Sequence, residues 1–321
     1  MKRVAVTGGT GFIGSNLARR LLRDGQDVHL LVRPGYSPWR IEAIRDHVRI
    51  HELDMSDLES LTQTVGLIRP DWIFHLATHG AYSWQTDLQE IVRTNISSTF
   101  NLVEACLARG FEAFVNSGTS SEYGFKNHAP SETEWPEPNS YYAVTKASAT
   151  MFCRFQALSR QANVTTLRLY SVYGPYEEPN RLIPSLVVHG LSGGCPPLAS
   201  PDIARDYVFT EDAIDAYILA AARPTGEPGA VYNVGTGLQT TLRDVVEAAR
   251  RVIGIEAEPV WGSMENRKWD TDIWVSDSRR IRDELGWRPK HPLEEGFRET
   301  VDWFVSHPEL LDFYRRRLGV A

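Results

Sequence analysis

Along the first half of the chain, short apolar runs alternate with longer stretches in which apolar residues recur every three or four positions. The runs are RVAV, DVHLLV, HVRIH, WIFHLA, FEAFVNS and VTTLRLY, and the stretches at 13–23, 57–68, 86–109 and 141–161 carry helical spacing. Strands separated by helices pair in parallel, which predicts an α/β fold, a doubly wound parallel sheet of the Rossmann type with helices on both faces. Such sheets bind ligands beyond the carboxyl ends of their strands. After Gly174 the rhythm changes. Pro175, Pro179, Pro184, Pro196, Pro197 and Pro201 arrive with glycines, which predicts irregular structure capping the sheet. Two returns to regular pattern, DYVFTEDAIDAYILAAA and AVYNVG, read as a helix and a strand rejoining the first domain. The expected organisation is a domain at 1–174, rejoined by 206–235, with a smaller region built from 175–205 and 236–321.

Two of the helical stretches are apolar on more than one face. Residues 86–109 carry Leu88, Ile91, Val92, Ile96, Phe100, Leu102, Val103 and Leu107, and residues 141–161 carry Met151, Phe152, Phe155 and Leu158. A helix apolar around much of its circumference is buried on two sides. Either one subunit has a thick core there, or these helices pair with a second copy. A homodimer through them is the expectation.

Composition narrows the partners. With 34 basic and 41 acidic side chains the net charge is -7, and no basic block exceeds Arg315, Arg316 and Arg317, so no nucleic acid partner is expected. Three scattered cysteines, Cys106, Cys153 and Cys195, show no metal-ligand spacing and suit a reduced, cytoplasmic protein with no metal. The first residues offer only Val4, Ala5 and Val6 as an apolar run before glycine, and no run approaches the ~18 residues of a membrane span. A soluble, unprocessed chain without a membrane partner is expected.

Straight after the first strand comes TGGTGFIG. Gly9, Gly11 and Gly14 satisfy Gly-x-Gly-x-x-Gly, and Gly8, Gly11 and Gly14 satisfy Gly-x-x-Gly-x-x-Gly. Between a strand and a helix, this pattern lets the backbone approach a pyrophosphate seated on the helix amino end, with Phe12 and Ile13 opening that helix. The first domain is therefore expected to bind a dinucleotide. The second strand ends in Val32 followed by Arg33, where an acidic residue would otherwise take the ribose 2′-hydroxyl. A guanidinium there suits a 2′-phosphate, so NADP(H) is favoured over NAD(H), with Arg40 a second candidate for the same task. Asp54, beside Met55 after the third strand, is placed to reach the adenine.

Twelve tyrosines and five lysines would produce a Tyr-x-x-x-Lys pair by chance roughly one time in five, so Tyr142 and Lys146 in SYYAVTKA need support from their surroundings. On a helix the two share a face. An ammonium about 5 Å from a phenol, at an effective dielectric near 20, is worth ~3 kcal/mol and would lower a phenol that starts near 10 by roughly two. Thr119, after the fifth strand, is expected to project its hydroxyl into the same crevice.

The glycine loop, HLA at 75–77, Asn95 in TNISSTFNL, SGTSSEYG, YYAVTK, LRLYSVYGP and ARDYVFTED come in one order and spacing. Together they resemble the extended short-chain dehydrogenase/reductases acting on nucleotide sugars, over nearly the whole chain. The resemblance implies Tyr142 as general acid/base, Lys146 as its electrostatic partner on the nicotinamide ribose, and Thr119 as the hydroxyl that orients the reacting oxygen. It implies cofactor contacts from Leu76, Ala77, Asn95 and Tyr170, and substrate contacts from Thr78 and Ser120. Arg205, and Arg267 with Asp270, match positions that grip the diphosphate of a nucleotide sugar, while Arg181 and Leu182 match a segment lining the nucleotide. His79 faces the same end of the sheet, either to bind or protonate substrate or to make a structural hydrogen bond. Tyr82 and Trp84 share its location and are candidates to shape the sugar pocket.

Departures from the family pattern carry information. Dehydratases hold an acid and a base directly after the catalytic threonine, whereas Ser120 and Ser121 stand here with Glu122 one place later. A serine hydroxyl is too weak an acid for that elimination. Many 4-epimerases have asparagine where Ser171 stands, and they commonly keep NAD through an acidic residue where this chain has Val32. The expected activity is NADPH-dependent reduction of a nucleotide-linked 4-keto-6-deoxy sugar or a related keto sugar. The first rival is a nucleotide-sugar 4-epimerase with retained cofactor; behind it stand a 4,6-dehydratase and a dinucleotide-sensing protein without catalysis.

Overall fold

In the computed structural model, residues 1–223, 227–266 and 271–320 are described. Eleven strands lie among them: β1 (Arg3–Thr7), β2 (Asp27–Val32), β3 (Arg49–Glu52), β4 (Trp72–His75), β5 (Ala113–Thr119), β6 (Val164–Leu169), β7 (Ser171–Tyr173), β8 (Ala204–Arg205), β9 (Tyr207–Phe209), β10 (Val231–Val234) and β11 (Thr240–Thr241). The helices are α1 (Phe12–Arg23), α2 (Leu58–Ile68), α3 (Leu88–Val92), α4 (Ser98–Arg109), α5 (Tyr141–Arg160), α6 (Leu182–Leu191), α7 (Thr210–Ala222), α8 (Leu242–Ile253), α9 (Arg279–Leu285), α10 (Leu293–Ser306) and α11 (Pro308–Leu318). Seven strands form one parallel sheet in the order β10-β6-β5-β4-β1-β2-β3. The order reverses between β1 and β4, which opens a crevice at their carboxyl ends.

Both faces of the sheet are covered, which is why its strands read as nearly continuous apolar runs. Val4 and Val6 of β1 pack with Leu17, Ala18 and Leu21 of α1 and with Ile214 and Tyr217 of α7. Ala5, between them, points to the opposite core with Leu61 and Val65 of α2, Leu102 and Val103 of α4, and Ala157 of α5. The stretch at 206–222 places β9 and α7 against the first core, and β10 closes the sheet beside β6, where the returning patterns predicted regular structure.

The remainder is more regular than the proline density predicts. Helices α6, α8, α10 and α11 enclose a separate core that includes Leu186, Val187, Val245, Phe297, Phe304 and Tyr314. Prolines hid these helices because they sit at ends and first turns: Pro308 opens α11, and Pro184 occupies the first turn of α6, where a missing N–H costs little. The predicted helix at 86–109 is interrupted by a π turn at Arg93–Ser97, which turns Asn95 fully inward.

Helix α5 confirms two apolar faces, and one of them is bare. Tyr141, Val144, Met151, Phe155 and Leu158 follow at helical spacing and remain exposed, Phe155 at 62%. No described helix is long and apolar enough to cross a membrane.

Candidate active site

A cleft of about 1440 Å³ opens where the sheet order reverses. Gly8, Gly11, Phe12, Ile13, Gly14, Arg33, Asp54, Met55, Leu76, Ala77, Thr78, His79, Thr119, Ser120, Tyr142, Lys146, Tyr170, Arg181, Leu182 and Arg205 all border it. Arg267 and Asp270 lie outside the described residues. Asn95 departs from the expectation: its amide accepts from the His79 N–H at 2.8 Å and the Thr78 hydroxyl at 3.1 Å, and donates to the His79 carbonyl at 2.8 Å and Thr145 Oγ1 at 2.9 Å. Asn95 is thus spent on shaping the turn after β4 and stands behind the cleft wall.

The glycine loop fits a dinucleotide pyrophosphate. Gly8 sits at φ +68, and a Cβ there would come within 2.6 Å of the Leu76–Ala77 backbone; a Cβ on Gly14 would come 2.2 Å from the Gly8 carbonyl oxygen. Gly11 caps α1 with no side-chain bond, and the first turn holds no acidic residue, so the helix amino end is left open for an anion. A buried chain of hydrogen bonds pins the neighbouring end of β4. The Ala77 N–H donates to Thr7 Oγ1 at 3.1 Å, and Thr7 Oγ1 lies 2.7 Å from His75 Nδ1. His75 Nε2 lies 2.8 Å from Thr99 Oγ1, whose proton goes to the Asn95 carbonyl. The proton on His75 therefore sits on Nε2, and full burial, with a further push from Lys146, pulls this imidazole down to about 3.

At the rim beyond β2, Arg33 is exposed beside the cleft. Arg40, the second candidate, is committed elsewhere: it stacks on Trp39, pairs with Glu178 at 2.9 Å and donates to the Tyr176 carbonyl. Asp54 accepts from Ser56 N–H and Oγ, which holds its carboxyl below its usual value, and Arg93 lies 3.6 Å away. Arg205 leans over the Trp274 ring.

The reacting end is built by β5 and α5. Ser140 caps α5 by accepting from the Ala143 N–H at 3.2 Å, which places Tyr142 in the first turn and Lys146 one turn on. Thr119 Oγ1 accepts from the Ser121 N–H at 3.2 Å, leaving its proton free to be donated. Thr119 hydrogen-bonds toward the Tyr142 phenol and favours its ionisation, yet burial wins and the phenol is pushed up to about 12. This corrects the expectation of a phenol lowered by Lys146, since burial outweighs every lowering influence on Tyr142; spacing along a helix says nothing of the desolvation that both groups meet. Lys146 is itself 2% exposed, with burial lowering its ammonium and Glu122 and Cys153 holding it up. A buried ammonium on the cleft wall, its shift owing nothing to a hydrogen bond, is placed to receive ribose hydroxyls.

A family model described as the NAD dependent epimerase/dehydratase family matches residues 4–235. The chain belongs to this family. A dTDP-glucose 4,6-dehydratase of Streptomyces griseus is 30% identical over 314 residues, covering 94% of each chain. Among solved structures, a UDP-glucose 4-epimerase of Thermotoga maritima with UDP-glucose superposes with a TM-score of 0.85 at 29% identity, covering 95% of this chain and 99% of that one. A UDP-glucose 4-epimerase of Thermus thermophilus in complex with NAD gives 0.83 at 29% identity, covering 94% and 98%.

Against the two activities in the family's description, the segment after Thr119 is informative. Ser120 and Ser121 face the cleft, whereas Glu122 is fully buried away from it. Its Oε1 accepts from the Thr119 N–H and from Thr150 Oγ1, both at 3.0 Å, and its Oε2 accepts from Arg168 Nε at 2.8 Å. Arg168 in turn donates to the Tyr123 hydroxyl at 2.8 Å, which donates to Asn233 Oδ1. The carboxylate that follows the threonine is thereby a fixture of the core.

Sequence reasoning passed over Glu177, which borders the cleft. His79 makes a structural bond through its backbone N–H to Asn95, and burial lowers its imidazole.

Proposed function

We propose that this family member exchanges hydride at C4 of a nucleotide-linked sugar and acts as a 4-epimerase, with Tyr142 moving the proton on O4 and Thr119 orienting that oxygen. One observation carries the reading: Thr119 and Tyr142 meet at the cleft while the two positions after Thr119 are serines and Glu122 is locked on Arg168. Elimination of a 6-hydroxyl needs an acid and a base there, and these residues supply neither. The relatives solved with UDP-glucose and with NAD support a nucleotide sugar and a nicotinamide dinucleotide as the ligands.

When bound, the dinucleotide supplies the hydride acceptor and donor, and its oxidised form adds a positive charge that favours the phenolate. The glycine loop and the α1 amino end would hold its pyrophosphate, and Lys146 its ribose. Arg205 and Arg181 would hold the sugar diphosphate by forked, charge-assisted hydrogen bonds. Purified protein given UDP- and dTDP-linked hexoses is expected to yield the 4-epimer of unchanged mass by NMR and mass spectrometry; a product lighter by one water would contradict the reading.

A second reading, reduction of a nucleotide-linked 4-keto sugar by NADPH, is favoured by Arg33 after Val32 and by a phenol near 12 that starts protonated. On that reading Arg33→Ala weakens NADPH about 10- to 100-fold, the loss of a charge-assisted contact, and leaves NADH unchanged in a binding titration. Equal wild-type affinity for the two dinucleotides would remove its support.

The bare stripe on α5 fits a second copy of the chain, in a homodimer through α4 and α5. Light scattering is expected to give twice the chain mass, and Phe155→Glu, at the middle of the stripe, to give a monomer. A monomeric wild type would refute this.

A further inference from the structure

Between β7 and α6 the chain makes a turn that no glycine eases at its tightest point, where Tyr176 sits at φ +67. A bulky side chain in the left-handed region is strained and persists only when its surroundings over-determine it. They do so here. Arg19 lies over the Tyr176 ring at 3.8 Å, Arg40 Nε donates to the Tyr176 carbonyl at 2.8 Å, and the Trp303 ring packs at 4.7 Å. On either side Asn16 Nδ2 donates to the Pro175 carbonyl at 2.8 Å and the Tyr314 hydroxyl donates to the Glu177 carbonyl.

The residue aimed by this turn is Glu177. It is 5% exposed and borders the cleft. Arg181 Nε stands 3.5 Å from Oε1, a loose contact, and Oε2 has no hydrogen-bond partner among the described residues. Arg181 and Arg40 are the cations that face it, and Tyr82, Tyr173 and Tyr314 feel its charge from three other elements. Burial outweighs both guanidinium groups and a backbone contact at Gly174, and pushes the carboxyl up to about 7. A buried carboxylate left short of donors is destabilising, so strained backbone that holds one at a ligand cleft points to a donor arriving with the ligand.

We infer that Glu177 is a ligand-binding residue that accepts a hydrogen bond from a hydroxyl group of the molecule held in the cleft. The inference rests on the proposed function, whose two ligands, dinucleotide and nucleotide sugar, both carry such hydroxyls. Tyr82 stands within electrostatic range of both Glu177 and the Tyr142 phenol, so the carboxylate lies on the side of the cleft near the reacting end.

Glu177→Gln keeps the shape and removes the charge. The test titrates wild type and variant with NADH, NADPH and UDP-glucose separately, and records ligand-free melting temperature at pH 8. The expected result is an affinity loss of about 10- to 100-fold for one ligand class with melting no lower than wild type. Loss confined to the dinucleotides assigns the hydroxyl to a cofactor ribose; loss confined to UDP-glucose assigns it to the nucleotide sugar. Because the ionised carboxylate is a stronger acceptor than the neutral acid, wild-type affinity for that ligand should tighten as pH rises through about 7, and the variant should lose this slope. Affinities within twofold of wild type, or an equal slope in both proteins, overturn the inference while leaving the function standing. A wild type that binds neither ligand class overturns both.

Discussion

Replacing Tyr142 with Phe is expected to lower turnover of the nucleotide sugar by about 10²- to 10⁴-fold, the usual contribution of a positioned proton donor and acceptor. Dinucleotide affinity should stay within a factor of two or so, because the phenol's neighbours in the free protein are Thr119, Tyr82 and Arg181 rather than the glycine loop. The substitution removes one oxygen and no packing, so stability should scarcely change. Rapid-mixing kinetics with matched binding titrations would check the split. Undiminished turnover would mean that another group moves the proton.

Arg168→Met is expected to have the largest effect on stability, about 3–5 kcal/mol, because it strands the fully buried Glu122 carboxylate. The loss reaches the active site, since Glu122 holds the Thr119 N–H and so sets the strand end that carries the reacting hydroxyl. Adding Glu122→Gln should recover part of the stability by removing the charge, though not all, as the amide nitrogen that takes the place of Oε2 would face the introduced methionine without an acceptor. Urea unfolding of the two single variants and the double variant measures this directly. A loss below about 1 kcal/mol in Arg168→Met would show that the pair does not anchor β5 and β6.

Much of the sheet was legible because its strands are buried on both faces, and burial on both faces writes itself into sequence as continuous apolar runs. The glycine loop was legible for a different reason: its chemistry is local, and Gly8 and Gly14 meet backbone at distances only glycine tolerates. Features that depend on distant partners were not legible. Nothing in TNISSTFNL announces a π turn, so Asn95 read as a cofactor contact when its amide instead braces the Thr78–His79 turn. The position of Glu122 one place too late argued against elimination, but its inward direction became visible only with Arg168 opposite it on β6. The ionisation of Tyr142 was misjudged because spacing gives proximity and not desolvation. Glu177 left no signal, since its placement follows from a turn, with a left-handed tyrosine at its centre, that five remote side chains hold.

Sugar labelled with deuterium at C4 tests the central claim most directly. Incubated with purified protein and a catalytic amount of NAD, a UDP- or dTDP-linked hexose so labelled should give its 4-epimer with the deuterium still on C4 and the 6-hydroxyl intact, and Tyr142→Phe should stop the conversion. Label lost to solvent, or recovered in a sugar that has shed its 6-hydroxyl, would contradict hydride exchange at C4 by this Thr119–Tyr142 cleft.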